Sequence, residues 1–293
     1  MTTDVGKGGS MTNGASVSTS RIPVGEVEIH LNESGDPDAP AILFLHGSGP
    51  GATGASNWEA VLADLGKEYH CLAPDVLGFG DSTHPNPPPP GLAPFTRLRI
   101  DTMIGLLDKL GVDKVSLVGN SMGGMWSIGI TGQAPERVDK LVLMGAGGSP
   151  TEFFGPSLPS LVNFYDDPST EAMTGLLRDF LHDPARLGGR LDEIAAARLP
   201  RAVRPEVERS HRATFDMSRP WRITEDDLAA ITQETLVIHG REDKFVTFGG
   251  GVYYFQHIPN ARIYGIGNCG HWTQIEHHDK FVAAVRGFLT GVL

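Results

Sequence analysis

The sequence has little cysteine, fewer basic than acidic side chains and no long apolar run. Only Cys71 and Cys269 occur in 293 residues, so a disulfide framework is not expected and a reducing, cytoplasmic compartment is favoured. The 24 lysines and arginines stand against 35 aspartates and glutamates, for a formal charge of −11, which argues against nucleic acid or an anionic membrane as a partner. No apolar stretch reaches membrane-spanning length, so no membrane segment is predicted.

The composition is that of an ordinary globular protein. Hydrophobic residues make up 40% and charged residues 20% of the chain, which is enough apolar material for a sizeable core. Residues 1–20 differ, because they are small and polar without an apolar run. This segment is predicted to be a disordered tail rather than a signal peptide or a membrane span.

Strand-like runs alternate with helix-length patterns along most of the chain. The runs lack polar alternation, which indicates strands buried on both faces, as in a parallel sheet covered by helices. This rhythm predicts a mostly parallel α/β sheet. The predicted strands are 41–47, 69–75, 114–120, 140–148, 234–240 and 261–267.

The alternation stops between Ser149 and Ile231, where apolar residues recur at helical spacing and no strand-like run is found. An all-helical block inserted into such a sheet is expected to cover the ends of the strands. The predicted organisation is a core domain of residues 21–148 and 232–293 with an inserted helical cap of residues 149–231.

A glycine-rich loop follows the first predicted strand, at residues 47–54. Its spacing partly fits two phosphate-binding patterns. However, Ala55 stands where a P-loop needs lysine, and Pro50 removes an N–H from a dinucleotide-type turn. A dinucleotide-binding oxidoreductase would also need a carboxylate on the next strand about 20 residues on. Asp75 ends that strand but lies 28 residues after Gly47, so this reading is the less favoured one.

The only Gly-x-Ser-x-Gly pattern in the chain is GNSMG at 119–123. It follows an apolar strand and opens a predicted helix, which is the arrangement of a nucleophile elbow. The glycines have a steric reason, because a side chain at either position would collide in so tight a turn. Ser121 is therefore the candidate nucleophile, and a helix-capping serine is the plainer alternative.

A serine hydroxyl needs a base and an orienting carboxylate to become a nucleophile. Of the eleven histidines, His271 lies in a glycine-flanked loop just after the last predicted strand. The turn after strand 234–240 offers Glu242 and Asp243, and Asp243 has the Gly-x-x-Asp spacing of a hydrolase loop. The chain order Ser121, Asp243, His271 is the one that such a hydrolase requires.

Other histidines and the cysteine near His271 are not expected to take part. No HExxH spacing occurs, and the adjacent side chains of 276–278 would point to different faces of a helix, so no metal site is predicted. The two histidines of that segment are predicted to be surface residues, as is His211. Cys269 is predicted to be a small buried residue rather than a nucleophile.

Acyl chemistry develops negative charge on a carbonyl oxygen, which backbone N–H groups can stabilise. The elbow supplies one such group, the N–H of Met122, and the second must come from the loop after an earlier strand. The sequence HGSGPG is in that place, with the Ser48 N–H as the preferred donor. Gly47 and Gly49 beside it let the main chain approach a substrate oxygen.

Together these residues resemble the α/β-hydrolase fold, and more narrowly the carbon–carbon hydrolases that act on meta-cleavage products of aromatic degradation. The narrower resemblance rests on LHGSGPGATGASNW, LVGNSMGG, GREDKFV and CGHWTQIEH. It implies a 2-hydroxy-6-oxo-hexa-2,4-dienoate substrate, a carboxylic acid and a 2-hydroxypenta-2,4-dienoate as products, no cofactor and a homo-oligomer. A carboxylesterase with the same Ser-His-Asp triad is the alternative.

The resemblance also implies which side chains hold the anionic dienoate. A buried carboxylate needs a charge-assisted partner, and arginine offers a bidentate one. The cap departs in length from the family pattern, so the position of its arginine is left open between three residues. The residues so assigned are Asn57, Asn120, Trp272 and, best matched in EIAAARL, Arg198, with Arg190 and Arg201 as alternatives for the arginine.

Overall fold

The computed structural model describes residues 14–293. These residues form a single eight-stranded sheet. The strands are β1 Ser18–Val24, β2 Val27–Ser34, β3 Ala41–Leu45, β4 His70–Pro74, β5 Val115–Asn120, β6 Val138–Met144, β7 Glu234–Gly240 and β8 Ala261–Ile266.

The strand order in the sheet is β1-β2-β4-β3-β5-β6-β7-β8. β1 pairs antiparallel to β2 and β2 to β4, whereas β4, β3, β5, β6, β7 and β8 are parallel to their neighbours. The six predicted strands are confirmed as β3 to β8. Because they are parallel, their carboxyl ends meet at one edge of the sheet, where ligand sites of such folds lie.

Helices cover both faces of this sheet. Residues of α2, α3 and α9 share one apolar core with one face, and residues of α1 and α11 share a second core with the other. No helix in 14–293 is both long and apolar enough to cross a membrane. The helices of the described residues are α1 Gly54–Leu65, α2 Leu92–Leu110, α3 Met122–Gln133, α4 Leu158–Val162, α5 Thr170–Asp179, α6 Leu191–Ala202, α7 Pro205–Thr214, α8 Glu225–Ala229, α9 Phe248–His257, α10 Thr273–Glu276 and α11 His278–Leu289.

The helices α4 to α8 lie between β6 and β7, in the segment predicted as the cap. Helices α4, α5 and α6 share an apolar core of their own, built around Met173, Leu177 and Ala195. Leu228 of α8 instead belongs to the apolar core on one face of the sheet. Phe245 and Trp272, which follow β7 and β8, belong to the apolar core of α4, α5 and α6. The cap therefore packs directly on the loops that leave the carboxyl ends of these strands.

The structure differs from the sequence expectation at the amino-terminal end. Most of the predicted tail, 1–13, lies outside the described residues, but β1 begins at Ser18 and its first residues pair with β2. The segment 18–20 was expected in the tail because it is polar. It forms a strand because an edge strand needs only backbone partners on one side and can face solvent.

His211 is also misplaced by the sequence reasoning, since the predicted surface residue is buried in α7. Its ring packs against Tyr165 and Phe215 of the cap, with ring centroids 4.8 and 4.7 Å apart. Burial lowers the pKa of His211 to about 4. A single histidine in a helix of charged residues carries no sequence signal for this environment.

Candidate active site

Ser121 occupies a sharp turn between β5 and α3. Its backbone has φ 55° and ψ −120°, a region that a residue with a side chain adopts only under strain. A Cβ on Gly119 would lie 2.5 Å from the carbonyl oxygen of Gly123. A Cβ on Gly123 would overlap the carbonyl oxygen of Leu45. The tight turn expected around Ser121, and the steric need for both glycines, are therefore present.

Asp243 and His271 are brought together from the loops after β7 and β8. The Nδ1 of His271 donates to Oδ2 of Asp243 at 2.6 Å, and both side chains are buried. The other carboxylate oxygen, Oδ1, accepts the backbone N–H groups of Phe245 at 2.8 Å and Val246 at 3.0 Å. With Nδ1 protonated, Nε2 of His271 carries the lone pair, so this nitrogen can accept a proton.

A second imidazole, that of His239, also contacts the Asp243 carboxylate. Its Nε2 lies 3.3 Å from Oδ2 and donates to the carbonyl oxygen of Val246 at 2.8 Å. Burial by itself raises the pKa of Asp243, but the adjacent His271 and the hydrogen bonds from His239 and His271 outweigh it. The pKa of Asp243 is thus held well below its usual range, and the carboxylate stays ionised.

Nε2 of His271 is buried and has no hydrogen-bond partner within residues 14–293. His271 and Ser121 line the same pocket. Gly47 approaches Ser121 closely, since a Cβ there would lie 3.1 Å from Ser121 Cβ. Ser121 and the imidazole of His271 thus border the same small space.

The glycine-rich loop after β3 is fixed by the buried side chain of His46. Nδ1 of His46 donates to the carbonyl oxygen of Gly47 at 2.7 Å, and Nε2 accepts the N–H of Val76 at 3.0 Å. Burial lowers the pKa of His46 to about 4, so the ring is neutral at physiological pH and can make both bonds. This loop brings Gly47, Ser48 and Gly49 to the pocket.

The pocket is narrow and lies between the carboxyl ends of the strands and the cap. Its floor comes from the β3 loop and the Ser121 turn, and its roof from cap side chains. The lining residues are Gly47, Ser48, Gly49, Ala52, Asn57, Asn120, Ser121, Leu161, Phe180, Arg198, His271 and Trp272.

Arg198 is a buried guanidinium at this pocket. Its Nε donates to the carbonyl oxygen of Pro50 at 2.6 Å, and its Cζ lies 6.0 Å from the ring centroid of Trp272. It takes part in no ion pair with a carboxylate of the described residues. Burial lowers the pKa of Arg198 to about 10, so the group remains protonated. A buried cation of this kind is suited to an anionic ligand.

The other two candidate arginines do not reach the pocket. Arg190 is exposed just before α6, and its Nε donates to the carbonyl oxygen of Leu187 at 3.4 Å. Arg201 is half-exposed and lies 3.7 Å from the Asp81 carboxylate. Of the three, Arg198 is the one that the fold turns towards Ser121, because one helical face meets the β3 loop.

Two buried amides complete the polar lining. Nδ2 of Asn120 donates to the carbonyl oxygen of Met144 at 3.2 Å, and Nδ2 of Asn57 lies 3.4 Å from the carbonyl oxygen of Thr53. Neither Oδ1 has a partner in the described part of the chain. These oxygens can therefore accept hydrogen bonds from a hydroxyl group of a ligand.

An aromatic stack forms one wall of the pocket. Phe180 lies between Trp272 and Phe245, with ring centroids 4.3 and 4.2 Å apart. Sequence reasoning included Trp272 but missed Phe180, Leu161 and Ala52, because a hydrophobic residue of a helix or loop looks the same whether it faces a core or a pocket. Met122, the residue after Ser121, is the first residue of α3. The position of its backbone N–H is therefore set by the start of the helix and does not depend on its side chain.

The remaining polar candidates are engaged elsewhere. Glu242 lies outside the pocket, pairs with Arg241 at 2.8 Å and accepts the N–H of Cys269 at 3.0 Å. Asp75, which was considered as the carboxylate of a dinucleotide-binding site, accepts hydrogen bonds from the N–H groups of Gly54 and Asp81 at 2.7 and 2.9 Å. Over residues 14–293, no three His, Cys, Asp or Glu side chains are placed to hold a metal ion.

Comparison with known proteins agrees with this architecture. A family model described as the alpha/beta hydrolase fold matches residues 40–278. The 2-hydroxymuconate semialdehyde hydrolase of Pseudomonas putida is 37% identical over 271 residues, which cover 89% of this chain and 90% of that protein.

Two solved structures superpose on nearly the whole chain. A serine hydrolase from the polyaromatic hydrocarbon-degrading bacterium Cycloclasticus zankles has a TM-score of 0.91 and 38% identity, covering 95% of this chain and 99% of its own. The 2-hydroxy-6-oxo-6-phenylhexa-2,4-dienoate hydrolase of Rhodococcus sp. strain RHA1 has a TM-score of 0.88 and 34% identity, covering 92% and 98%. The chain therefore belongs to the α/β-hydrolase fold family and, within it, to the hydrolases of meta-cleavage products.

Proposed function

We propose that the protein hydrolyses a carbon–carbon bond in a 2-hydroxy-6-oxo-hexa-2,4-dienoate-type ring-fission product. The products are a carboxylic acid and a 2-hydroxypenta-2,4-dienoate. The observation that carries the proposal is the buried Arg198, without an acidic partner in the described residues, in the same pocket as Ser121 and His271. The names of the related hydrolases support the same substrate class.

In this proposal Ser121, His271 and Asp243 form the catalytic triad. His271 takes the hydroxyl proton of Ser121 on Nε2, because Nδ1 is committed to Asp243 at 2.6 Å. The ionised Asp243 holds the imidazole in this tautomer and stabilises the imidazolium that forms. The low pKa of Asp243 supports this role, since the carboxylate then keeps its charge while His271 gains a proton.

The N–H groups of Ser48 and Met122 form the proposed oxyanion hole. Ser48 lies in the β3 loop that His46 fixes, and Met122 begins α3, so both donors belong to rigid parts of the fold. Preorganised donors of this kind stabilise the charge that develops on a carbonyl oxygen without reorganising during the reaction. Gly47 and Gly49 leave room for the substrate oxygen beside them.

Arg198 binds the substrate carboxylate, and Asn57, Asn120 and Trp272 complete the dienoate site. The two unpartnered amide oxygens are suited to the 2-hydroxyl group, which is a donor. The planar diene can lie against the ring of Trp272 in its stack with Phe180. The far carbonyl then lies towards Ser121, which lines the same pocket as the arginine.

The reaction proceeds in three steps. First, the dienol becomes a ketone, as His271 transfers the proton of the 2-hydroxyl group to the carbon next to the distal carbonyl. Ser121 then attacks the distal carbonyl carbon while His271 takes its proton. The adjacent carbon–carbon bond breaks, its electron pair passes to the 2-oxo group, which takes the proton from His271, and the hydroxydienoate leaves while the acyl group stays on the serine. Finally water, deprotonated by His271, attacks the acyl group, and His271 returns that proton to the serine oxygen as the carboxylic acid is released.

The test is the variant Ser121→Ala with a yellow ring-fission product followed by its visible absorbance. We expect substrate binding and ketonisation to remain visible while product formation collapses. Full turnover in this variant would refute the assignment. Hydrolysis of a nitrophenyl ester by the wild type without any loss of the ring-fission product would favour the carboxylesterase instead.

A further inference from the structure

Glu276, at the end of α10, is a buried carboxylate with an unusual set of partners. It is 3% exposed, and no lysine or arginine forms an ion pair with it in 14–293. Oε1 accepts the backbone N–H groups of His182 at 2.9 Å and Asp183 at 2.8 Å. Oε2 accepts the N–H of Gly270 at 2.5 Å. The carboxylate is thus satisfied by main chain alone, through charge-assisted hydrogen bonds.

These bonds join two segments of different origin. His182 and Asp183 follow α5 and belong to the cap, whereas Gly270 immediately precedes His271 in the loop after β8. The contact is close, because a Cβ on Gly270 would lie 2.8 Å from the backbone nitrogen of His182. Glu276 therefore acts as a bridge between the cap backbone and the loop that carries the candidate base.

A second pair of bonds reinforces the same connection. The N–H groups of His271 and Trp272 both donate to the carbonyl oxygen of Phe180, at 2.9 and 3.2 Å. The loop needs such anchors, since it contains Gly267 and Gly270 and residue Asn268 with a positive φ of 54°. The bond to Asp243 holds one edge of the imidazole but does not fix the backbone that supports it.

We propose that Glu276 is a positioning residue, which fixes the backbone of His271 to the cap so that Nε2 is presented to Ser121. The inference rests on the proposed role of His271 as the base. Removal of the carboxylate leaves three backbone N–H groups without this acceptor, the buried one of Gly270 among them, and frees both segments. A displacement of about 1 Å in a catalytic group can lower a rate about 100-fold, and we expect an effect of about 10- to 100-fold on that basis.

The experiment compares Glu276→Gln and Glu276→Ala with the wild type and with Asp279→Asn. Asp279 is exposed at the start of α11, so its substitution removes the same charge three residues away without touching the loop. Ser121 activation is read from the rate of covalent labelling by a fluorophosphonate probe. In that reaction the serine oxygen bonds to phosphorus, fluoride leaves, and His271 accepts the proton.

We expect slower labelling in Glu276→Ala and a smaller loss in Glu276→Gln, whose amide keeps one acceptor oxygen. With p-nitrophenyl acetate, kcat should fall while KM changes little. Amide hydrogen exchange should accelerate in 181–183 and 269–272 and stay unchanged elsewhere. Asp279→Asn should behave as the wild type in all three measurements.

The outcomes separate this inference from the proposed triad. Labelling of His271→Ala at the wild-type rate would remove the triad assignment and the inference together. If His271→Ala is inactive but folded Glu276 variants label at the wild-type rate, the triad stands and the inference is wrong. Failure of both Glu276 variants to fold, or exchange that accelerates throughout the molecule, would show a general structural role and would also overturn it.

Discussion

Replacement of Arg198 by alanine tests how the pocket recognises its substrate. The guanidinium is buried, uses Nε for the carbonyl oxygen of Pro50 and leaves both terminal nitrogens without a hydrogen-bond acceptor in the described residues. A carboxylate that fills this place makes a buried, charge-assisted pair. Truncation of one partner of such a pair costs about 2–5 kcal/mol. For about 3 kcal/mol, kcat/KM for a ring-fission product should fall roughly 150-fold.

The assay compares two substrates in the same variant. A ring-fission product carries the carboxylate, whereas p-nitrophenyl acetate does not, so only the first should lose activity. Arg198→Lys keeps the charge but not the bidentate geometry and should lie between the wild type and Arg198→Ala. Arg190→Ala is the matched control, because Arg190 is exposed and outside the pocket.

Two results would refute this reasoning. Unchanged kcat/KM for the ring-fission product in Arg198→Ala would show that the carboxylate binds elsewhere. An equal loss with both substrates would show that Arg198 acts through its bond to Pro50, by holding the loop that carries Ser48, and not by binding the carboxylate.

Three further predictions follow from the site. Asp243→Asn should lower kcat by about 10³- to 10⁴-fold in stopped-flow turnover, because the amide no longer stabilises the tautomer with a free Nε2; a loss below tenfold would contradict the triad. Gly123→Ala should reduce the yield of folded protein or its thermal stability, because the added Cβ overlaps the carbonyl oxygen of Leu45; unchanged thermal melting would contradict the tight turn. The pKa of His46 is lowered from 6.5 to about 4 in the folded state, so the stability from its neutral form is complete above pH 6.5 and decreases as the pH falls towards 4. Urea unfolding should show a contribution of up to about 3 kcal/mol, which His46→Gln should remove; an identical pH dependence in that variant would contradict it.

Much of the fold could be predicted because its signals are local. Buried parallel strands require continuous apolar runs, and six of them were identified from these runs alone. β1 and β2 were missed because neither has a continuous apolar run: β1 is a largely exposed edge strand, and β2 mixes buried with partly exposed residues. Residues 18–20 of β1 were assigned to the predicted tail because they are polar, and nothing in their sequence identifies β2 as their partner. The homo-oligomer and the cytoplasmic location stay predictions.

The residues of the candidate site also differ in whether the sequence alone could identify them. Ser121, Asp243 and His271 could be named from sequence because each lies in a short motif whose chemistry constrains its neighbours. Glu276 shows the opposite case, since the sequence argument considered it only beside two histidines. Its partners lie about 90 residues away in the chain, at His182 and Asp183, and no local pattern records them.

The sequence by itself determined the alternation of buried strands and helices, the turn that exposes Ser121 and the order of the candidate triad. These features depend on interactions within a few residues of the chain. Only the tertiary structure decided that Arg198 rather than Arg190 or Arg201 faces the pocket, that Phe180 forms its wall, and that Glu276 ties the cap to the His271 loop. Each of these depends on how the cap packs on the strand ends, and that packing is a property of surfaces distant in sequence.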